Sequence, residues 1–173
     1  MTTIRIASAS DAHEIAKLHA SSWRIAYRGL LTDLYLDNDL AGERSIYWTE
    51  KMTCLSPQEF VLIAEDGDGR LEGFIAVMDQ PEKSFAALVD NLHVRPDLKG
   101  KGIGRMLMQA AARQLLASGR SNYYLWVLNG NDPAARFYES IGGVAGDQKN
   151  HLFGGKEVAA TRYGWDTFNC VLG

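Results

Sequence analysis

Cysteine is scarce in this sequence. Cys54 and Cys170 are the only cysteines among 173 residues, and they lie far apart and outside any CxxC pattern. Two isolated cysteines indicate neither a disulfide framework nor a zinc site. We therefore expect both thiols to stay reduced.

Long apolar runs and an excess of one sign of charge are also missing. No segment approaches the roughly 20 apolar residues that span a bilayer, and the N-terminal MTTIRIASAS lacks the basic flank and apolar core of a leader peptide. The 18 basic and 21 acidic residues are interspersed and give a formal net charge of -3. We therefore expect neither nucleic acid nor a membrane as a partner, and we predict a soluble, cytoplasmic protein.

No repeat, low-complexity tract or Pro/Ser-rich linker divides the chain. Its length is near that of one ordinary domain, and a hydrophobic content of 46 % is enough to fill one core. We expect residues 1–173 to form a single domain.

Apolar periodicity and turn residues predict a chain that mixes strands and helices. A strand over residues 3–7 precedes Ser8-Ala9-Ser10-Asp11, which matches a capping box and predicts a long helix ending near Gly29. The apolar runs 60–65 and 71–78 flank Asp66-Gly67-Asp68-Gly69 and predict a β-hairpin. The remaining predicted elements are a helix over 43–52, a strand over 85–94, a helix over 102–117, a strand over 123–128, a helix over 132–140 and a strand over 157–165. Because a helix separates strands 85–94 and 123–128, those two strands are expected to be parallel.

The segment from Lys99 to Arg105, Lys-Gly-Lys-Gly-Ile-Gly-Arg, lies between a predicted strand and a predicted helix. Glycines let successive backbone N–H groups point to one side, which forms a nest for an anion at a helix N-terminus. The helix dipole and the nearby cations favour a pyrophosphate there. A side chain at Gly102 or Gly104 is then expected to keep the backbone away from the phosphates. The alternative is a plain glycine-rich turn with surface cations.

Two other phosphate-binding motifs fail on spacing. A dinucleotide fingerprint requires glycine where this chain has Arg105, and an acid about 20 residues later, where it has Tyr123 and Tyr124. A P-loop requires Ser or Thr after Gly-Lys, where this chain has Gly102. Neither a Rossmann nor an NTPase site is therefore predicted.

A strand ending at Val94, then Lys-Gly-Lys-Gly-Ile-Gly and an amphipathic helix, resembles the acetyl-CoA-binding motif of the GNAT N-acetyltransferase superfamily. The family's pattern there is Gln or Arg, two residues, Gly, any residue, then Gly or Ala. Lys99 departs from its first position, whereas Gly102 and Gly104 match. A second block, Asn-Asp-Pro-Ala-Ala-Arg-Phe-Tyr-Glu over 131–139 followed by Ile-Gly, resembles the family's Asn, Ala, Tyr, Gly segment.

The resemblance implies an α/β fold of the α+β type, with a mostly antiparallel sheet, a central parallel strand pair and flanking helices. It implies transfer of an acetyl group from acetyl-CoA, without a metal, to a primary amine of a small molecule or a protein by direct attack in a ternary complex. A non-catalytic acyl-CoA-binding or sensing domain of the same fold is the alternative. The acceptor stays open, and so does the oligomeric state, although strands near the C-terminus often pair in homodimers of this family.

The resemblance also assigns the residues that bind the cofactor. The end of the strand before the glycine segment offers backbone groups to the pantetheine arm, and the imidazole there is expected only to pack or face solvent. The cofactor-binding residues so implied are Leu92, His93, Val94, Lys99, Gly100, Lys101, Gly102, Ile103, Gly104, Arg105 and Asn131.

Tyr138 matches the tyrosine that protonates the departing CoA thiolate in many family members, and its alternative role is packing. Some members place a glutamate where this chain has Leu88, which cannot act as a base. Asp90 lies two residues further, on the same face of the strand, and is our candidate base, although it can equally be a structural acid. Trp23 and Tyr27 share one helical stripe and are substrate-binding candidates, with core packing as the alternative.

Overall fold

The computed structural model describes residues 1–173, which form one seven-stranded sheet and five helices. The strands are β1 Thr3–Ile6, β2 Phe60–Glu65, β3 Leu71–Met78, β4 Leu88–Val94, β5 Tyr123–Leu128, β6 Val144–Phe153 and β7 Lys156–Trp165. The helices are α1 Ala12–Ala26, α2 Leu40–Lys51, α3 Ile103–Ala117, α4 Asp132–Ser140 and the short α5 Asn169–Leu172. None of these helices is both long and apolar enough to span a bilayer.

The first helix begins at the predicted capping box. The Ser8 backbone N–H donates to the Asp11 carboxylate at 2.7 Å, and Arg5 pairs with the same carboxylate at 2.9 Å. These bonds favour the ionised carboxylate, and the pKa of Asp11 falls to about 2. The predicted capping box thus caps a 3-10 turn, Ala9–Asp11, that leads directly into α1 at Ala12.

The sheet has the strand order β1-β2-β3-β4-β5-β7-β6. The neighbours β4 and β5 are parallel, and every other neighbouring pair is antiparallel. The predicted mixed sheet with one central parallel pair is therefore confirmed, and α3 supplies the crossover between its two parallel strands.

Helices cover both faces of the sheet. Alternate residues of β3 enter two different clusters: Ile75 packs with buried residues of α3, α4 and α5, whereas Phe74 packs with buried residues of α1 and α2. Strands that are buried on both faces are apolar throughout, which explains why β2 and β3 are continuous hydrophobic runs. A third cluster lies under α1 and the π-helical turn Tyr35–Asp39.

The parallel pair separates soon after it forms. Leu88 and Tyr124 are its one register pair, and the Tyr124 N–H donates to the Ala87 carbonyl at 3.1 Å. Beyond this point β4 and β5 diverge, which leaves a gap in the middle of an otherwise continuous sheet.

Two parts of the sequence-based assignment need correction. The strand predicted to begin at residue 85 begins at Leu88, because Phe85 packs on β7, where a Cβ on Gly164 would lie 2.2 Å from its ring. Strand β6 was not predicted at all, since its residues are mostly exposed and polar and show no alternation. It forms because it pairs with β7 along almost its whole length.

Candidate functional site

A cavity of about 840 Å³ lies where β4 and β5 diverge. Its walls include Leu88 to Val94 of β4 and Leu125 to Leu128 of β5. Residues from both faces of the sheet line it, from the glycine segment and α4 on one face and from α1 and α2 on the other. The gap in the sheet therefore becomes a continuous passage between the two helical layers.

One end of the cavity is the turn that leads into α3. Gly100 and Gly102 have φ values of +80° and +85°, a region that side chains other than glycine rarely adopt. The Met106 N–H donates to the Gly102 carbonyl at 3.0 Å, and the N–H groups of residues 103–105 have no protein acceptor. Free N–H groups at the start of a 15-residue helix make this end a site for an anion.

Cations add to this anion site. Lys99 and Arg105 line the cavity, whereas Lys101, which we expected to contribute, is exposed and lies outside the wall. The two lining cations and the free N–H groups supply full and partial positive charges on one side of the same turn.

Gly104 also has a packing role. A Cβ at this residue would lie 3.3 Å from the Phe137 ring and 3.8 Å from Val94, so the missing side chain lets α3 pack closely on α4 and β4. A Cβ at Gly102, in contrast, would meet nothing within 4 Å, and only the positive φ disfavours substitution there. A side chain at Gly104 would therefore press on the packing of α3 against α4 and β4, and its effect on a bound phosphate stays a prediction.

The end of β4 lines the middle of the cavity through Leu92, His93 and Val94. The His93 ring is stacked on the His19 ring at 4.6 Å, and its Nδ1 forms a 3.0 Å hydrogen bond with the Ser22 hydroxyl. Burial lowers the pKa of His93 to about 3, which leaves the imidazole neutral near pH 7. The geometry suits a packing imidazole, with the strand backbone available to a ligand.

Tyr138, Tyr27 and Asn131 come together in the cavity wall. The Tyr138 ring is almost fully buried against Trp165, at 5.9 Å between ring centroids, and its hydroxyl has no hydrogen-bond partner in the protein. Burial raises the pKa of Tyr138, and the neighbouring Tyr27 raises it further. Burial also raises the pKa of Tyr27 to about 12, against a smaller opposing effect of the Asn131 side chain. Tyr27 of the first helix thus meets two residues of the block 131–139 in one wall.

Asp90 projects into the cavity from a β-bulge. Ala76 of β3 pairs with Asn91, and Val77 pairs with Val89, so Asp90 is the extra residue of β4. A bulge redirects a side chain at a strand edge. The Asp90 carboxylate contacts Tyr47 of α2. This is the face of the sheet on which Leu88 is buried, as the alternation of residues along β4 predicts.

The two oxygens of Asp90 have different surroundings. The Tyr47 hydroxyl and the Asn91 amide both donate to Oδ2, at 3.2 and 2.6 Å, which leaves Oδ1 without a protein partner. The side chain is exposed to the cavity but enclosed by its walls, and this desolvation raises the pKa of Asp90 against the opposing effect of its hydrogen bonds. Asp90 is the sole carboxylate among the residues that line the cavity.

The end of the cavity opposite the glycine segment was not anticipated beyond Trp23 and Tyr27. We call it the aromatic end and define it by the residues Trp23, Arg44, Tyr47, Trp126, Lys149, His151 and Phe153, which all line the cavity. They form a chain of close contacts, for example between Trp23 and Phe153 at 5.1 Å and between Trp126 and His151 at 5.7 Å. The sequence offered one usable signal here, because Arg44 and Tyr47 are three residues apart on a predicted helix.

Comparison with known proteins identifies the same family as the two sequence motifs. The model of the acetyltransferase (GNAT) family matches residues 14–143, which is more than half of the chain. An uncharacterized N-acetyltransferase of Bacillus subtilis, YuaI, is 25 % identical over 173 residues, covering 99 % of this chain and 96 % of the relative. Streptothricin acetyltransferase of Streptomyces lavendulae is 38 % identical over 88 residues, which make up 48 % of this chain and 42 % of the relative.

The fold is also that of a solved structure. The PaiA N-acetyltransferase of Thermoplasma acidophilum, determined in complex with coenzyme A, has a TM-score of 0.72 at 20 % identity, covering 93 % of this chain and 98 % of the other. The resemblance drawn from two short motifs therefore extends over most of the chain, and the protein belongs to the acetyltransferase (GNAT) family of N-acetyltransferases.

Proposed function

We propose that this protein transfers an acetyl group from acetyl-CoA to a primary amine of a small molecule or a protein, by direct attack in a ternary complex. One observation carries the proposal: a single cavity joins the anion site at α3, the Tyr138 hydroxyl and the free oxygen of Asp90. The names of YuaI and streptothricin acetyltransferase, and the coenzyme A bound to PaiA, support acetyl transfer from acetyl-CoA.

The residues at the start of α3 fit the pyrophosphate of coenzyme A. Their free N–H groups, with Lys99 and Arg105 beside them, can hold its non-bridging oxygens, which share two negative charges, without a metal. The backbone of residues 92–94 then lies where the pantetheine arm enters the gap between β4 and β5. When bound, acetyl-CoA supplies the acetyl group as a thioester.

Asp90 is the proposed base. An alkylamine with a pKa of about 10.4 is protonated at neutral pH and has no free electron pair. Oδ1 of Asp90 faces the cavity without a protein partner and can accept a proton from the amine, directly or through a water molecule. The raised pKa of Asp90 makes the carboxylate a stronger base than an ordinary aspartate.

Tyr138 is the proposed acid. Its hydroxyl has no protein partner and borders the cavity, so it can donate to the sulfur of the leaving thiolate. Because burial raises its pKa, the hydroxyl keeps its proton over the neutral and mildly alkaline range.

A sensing domain that binds acyl-CoA without turnover is the second candidate. It is favoured by Leu88, which occupies the position of a glutamate in some family members and is buried in the core. The two functions differ in a simple assay, the release of CoA thiol from acetyl-CoA with a panel of amines, with the acetylated products read by mass. An enzyme releases thiol in an amine-dependent way, whereas a sensor binds acetyl-CoA and releases none.

Binding can be measured separately by thermal unfolding. A ligand that binds only the folded state stabilises it, by about 2.7 kcal/mol at 100 times its Kd. We expect acetyl-CoA to raise Tm, with NADH and ATP giving much smaller shifts. A larger shift with either nucleotide would contradict the cofactor assignment. The single domain over residues 1–173, the protein acceptor, the homodimer and the cytoplasmic location stay predictions.

A further inference from the structure

Arg44 is an unusual cation in the aromatic end of the cavity. Its side chain is only 14 % exposed, and its guanidinium lies 5.4 Å from the Trp23 ring centroid and 5.1 Å from that of Tyr47. Nη2 pairs with Glu43, the next residue in the chain. Nη1 has no protein partner, and Nε is buried without one.

Such a guanidinium retains unused hydrogen-bonding capacity in a largely desolvated place. Burying a charge with unsatisfied donors is costly unless a partner arrives. Arginine presents planar N–H pairs that match a carboxylate. Nη1 is therefore the donor left for an anionic group of a bound molecule, and a carboxylate that binds a planar N–H pair of Arg44 has to displace Glu43 from Nη2.

A second cation lies on the other wall. The Lys149 ammonium sits over the Trp126 ring, 4.1 Å from its centroid, and its nearest carboxylate, that of Glu82, is 3.9 Å away and outside the cavity wall. Asp90 is the sole carboxylate that lines the cavity. Two cations and a single carboxylate thus line this part of the cavity, and each cation also pairs with a carboxylate outside the wall, Arg44 with Glu43 and Lys149 with Glu82. An acceptor with one amine and one carboxylate is complementary to the charges that line the cavity.

Tyr47 lies between the Arg44 guanidinium and the Asp90 carboxylate. Arg44 contacts its ring, and its hydroxyl donates to Asp90, so the guanidinium and the carboxylate are separated by one tyrosine side chain. The remaining walls here, Trp23, Trp126 and Phe153, are aromatic and suit an apolar side chain.

We propose that the acceptor is an amino acid with an apolar side chain, whose carboxylate binds Arg44 and whose amine faces Oδ1 of Asp90. This inference rests on the proposed acetyl transfer to an amine. It narrows the acceptor from any primary amine to one that carries a carboxylate a few bonds away.

The test compares kcat/KM for L-phenylalanine and L-leucine with kcat/KM for their amides. Each amide has the same shape as its amino acid but lacks the negative charge. A charge-assisted hydrogen bond corresponds to a factor of about 10 to 100 in affinity. The wild type should prefer each acid by that factor when kcat/KM is expressed per concentration of free amine, because the amine of each amide is less basic than that of its acid. Equal or better use of both amides by the wild type would overturn the proposal.

Three variants test whether Arg44 causes the preference for the acid. Arg44→Gln should reduce the acid-to-amide ratio to near one, and Arg44→Lys should restore part of it. Because Glu43 competes with the acceptor for Arg44, Glu43→Gln should leave the ratio unchanged or raise it. The change in the ratio from wild type to variant cancels the difference in basicity between the two amines, and circular dichroism with Tm shows that each variant folds.

The remaining outcomes are equally decisive. If Arg44→Gln lowers turnover of acid and amide by the same factor, Arg44 is structural and the proposal is wrong. If acetyl-CoA raises Tm but no amine in the panel releases thiol, the proposed function itself fails and the inference fails with it. Efficient acetylation of simple amines with no preference for a carboxylate would leave the proposed function intact and refute this inference alone.

Discussion

Replacement of Tyr138 by phenylalanine separates a chemical role of its hydroxyl from a packing role of its ring. The ring packs against Tyr163 and Trp165, at 6.3 and 5.9 Å between centroids, and phenylalanine keeps those contacts. The hydroxyl makes no hydrogen bond with the protein, so its removal should change the free energy of unfolding by less than about 1 kcal/mol.

The kinetic effect should be much larger than the effect on stability. A positioned general acid contributes about 10²- to 10⁴-fold, or about 3 to 5 kcal/mol in the transition state. Because the proton is needed only as charge collects on the leaving sulfur, kcat should fall by that factor while the KM for acetyl-CoA changes little. The assay is steady-state release of CoA thiol at saturating amine.

Tyr163 provides a matched control. Its hydroxyl donates to Glu139 at 3.1 Å, and it does not line the cavity. Tyr163→Phe should therefore lower the free energy of unfolding by about 0.5 to 1.5 kcal/mol and leave kcat unchanged. A tenfold or smaller fall in kcat for Tyr138→Phe would show that Tyr138 only packs, or that the thiolate leaves without a proton.

The pH profile adds an independent check on the same residue. A general acid must be protonated, and burial raises the pKa of Tyr138 above the ordinary tyrosine value of about 10. The wild-type kcat should therefore show no alkaline decline from this group below about pH 10. A decline with a midpoint near pH 8 that disappears in Tyr138→Phe would refute the raised pKa.

Asp90→Asn should lower kcat/KM by about 10²- to 10⁴-fold near neutral pH, with partial recovery at high pH, where more of the amine is already free. In the wild type, kcat/KM should fall as pH drops through a pKa above the ordinary value of about 3.9, because desolvation raises the pKa of Asp90 and the base must be ionised. A silent Asp90→Asn beside a severe Tyr138→Phe would assign the amine proton to water instead. Gly104→Val should lower Tm by about 2 to 12 °C, since overpacking against Phe137 costs about 1 to 3 kcal/mol. Gly42→Val, near the start of α2 with nothing within 4 Å of its Cβ, is the control, and equal losses in both variants would argue against the packing role.

Local patterns account for most of the elements that the sequence predicted. The hairpin of β2 and β3, the strand β5 and the helix α4 have their predicted bounds, because tight turns, a Pro at the first helical turn and apolar runs are encoded within a few residues. The glycine segment before α3 is equally local, since its positive φ values and free N–H groups depend on glycine and on the helix that follows. Family membership followed from this segment and from the block at 131–139.

Contacts between residues far apart in the chain determined strand β6 and the acceptor end of the cavity. Strand β6 exists because β7 pairs with it, and the polar residues of β6 carry no strand pattern of their own. The bulge opposite β3 that makes Asp90 the extra residue of β4 is set by strand pairing, although the Asp90 side chain lies on the face that alternation predicts. Arg44 became a binding candidate only when α2 packed beside α1 and brought its guanidinium between Trp23 and Tyr47. The sequence by itself thus determined the fold class and the cofactor end of the cavity, where short-range backbone geometry is sufficient. The acceptor end was decided by tertiary structure, because its side chains come from elements far apart in the chain and meet only in the folded protein.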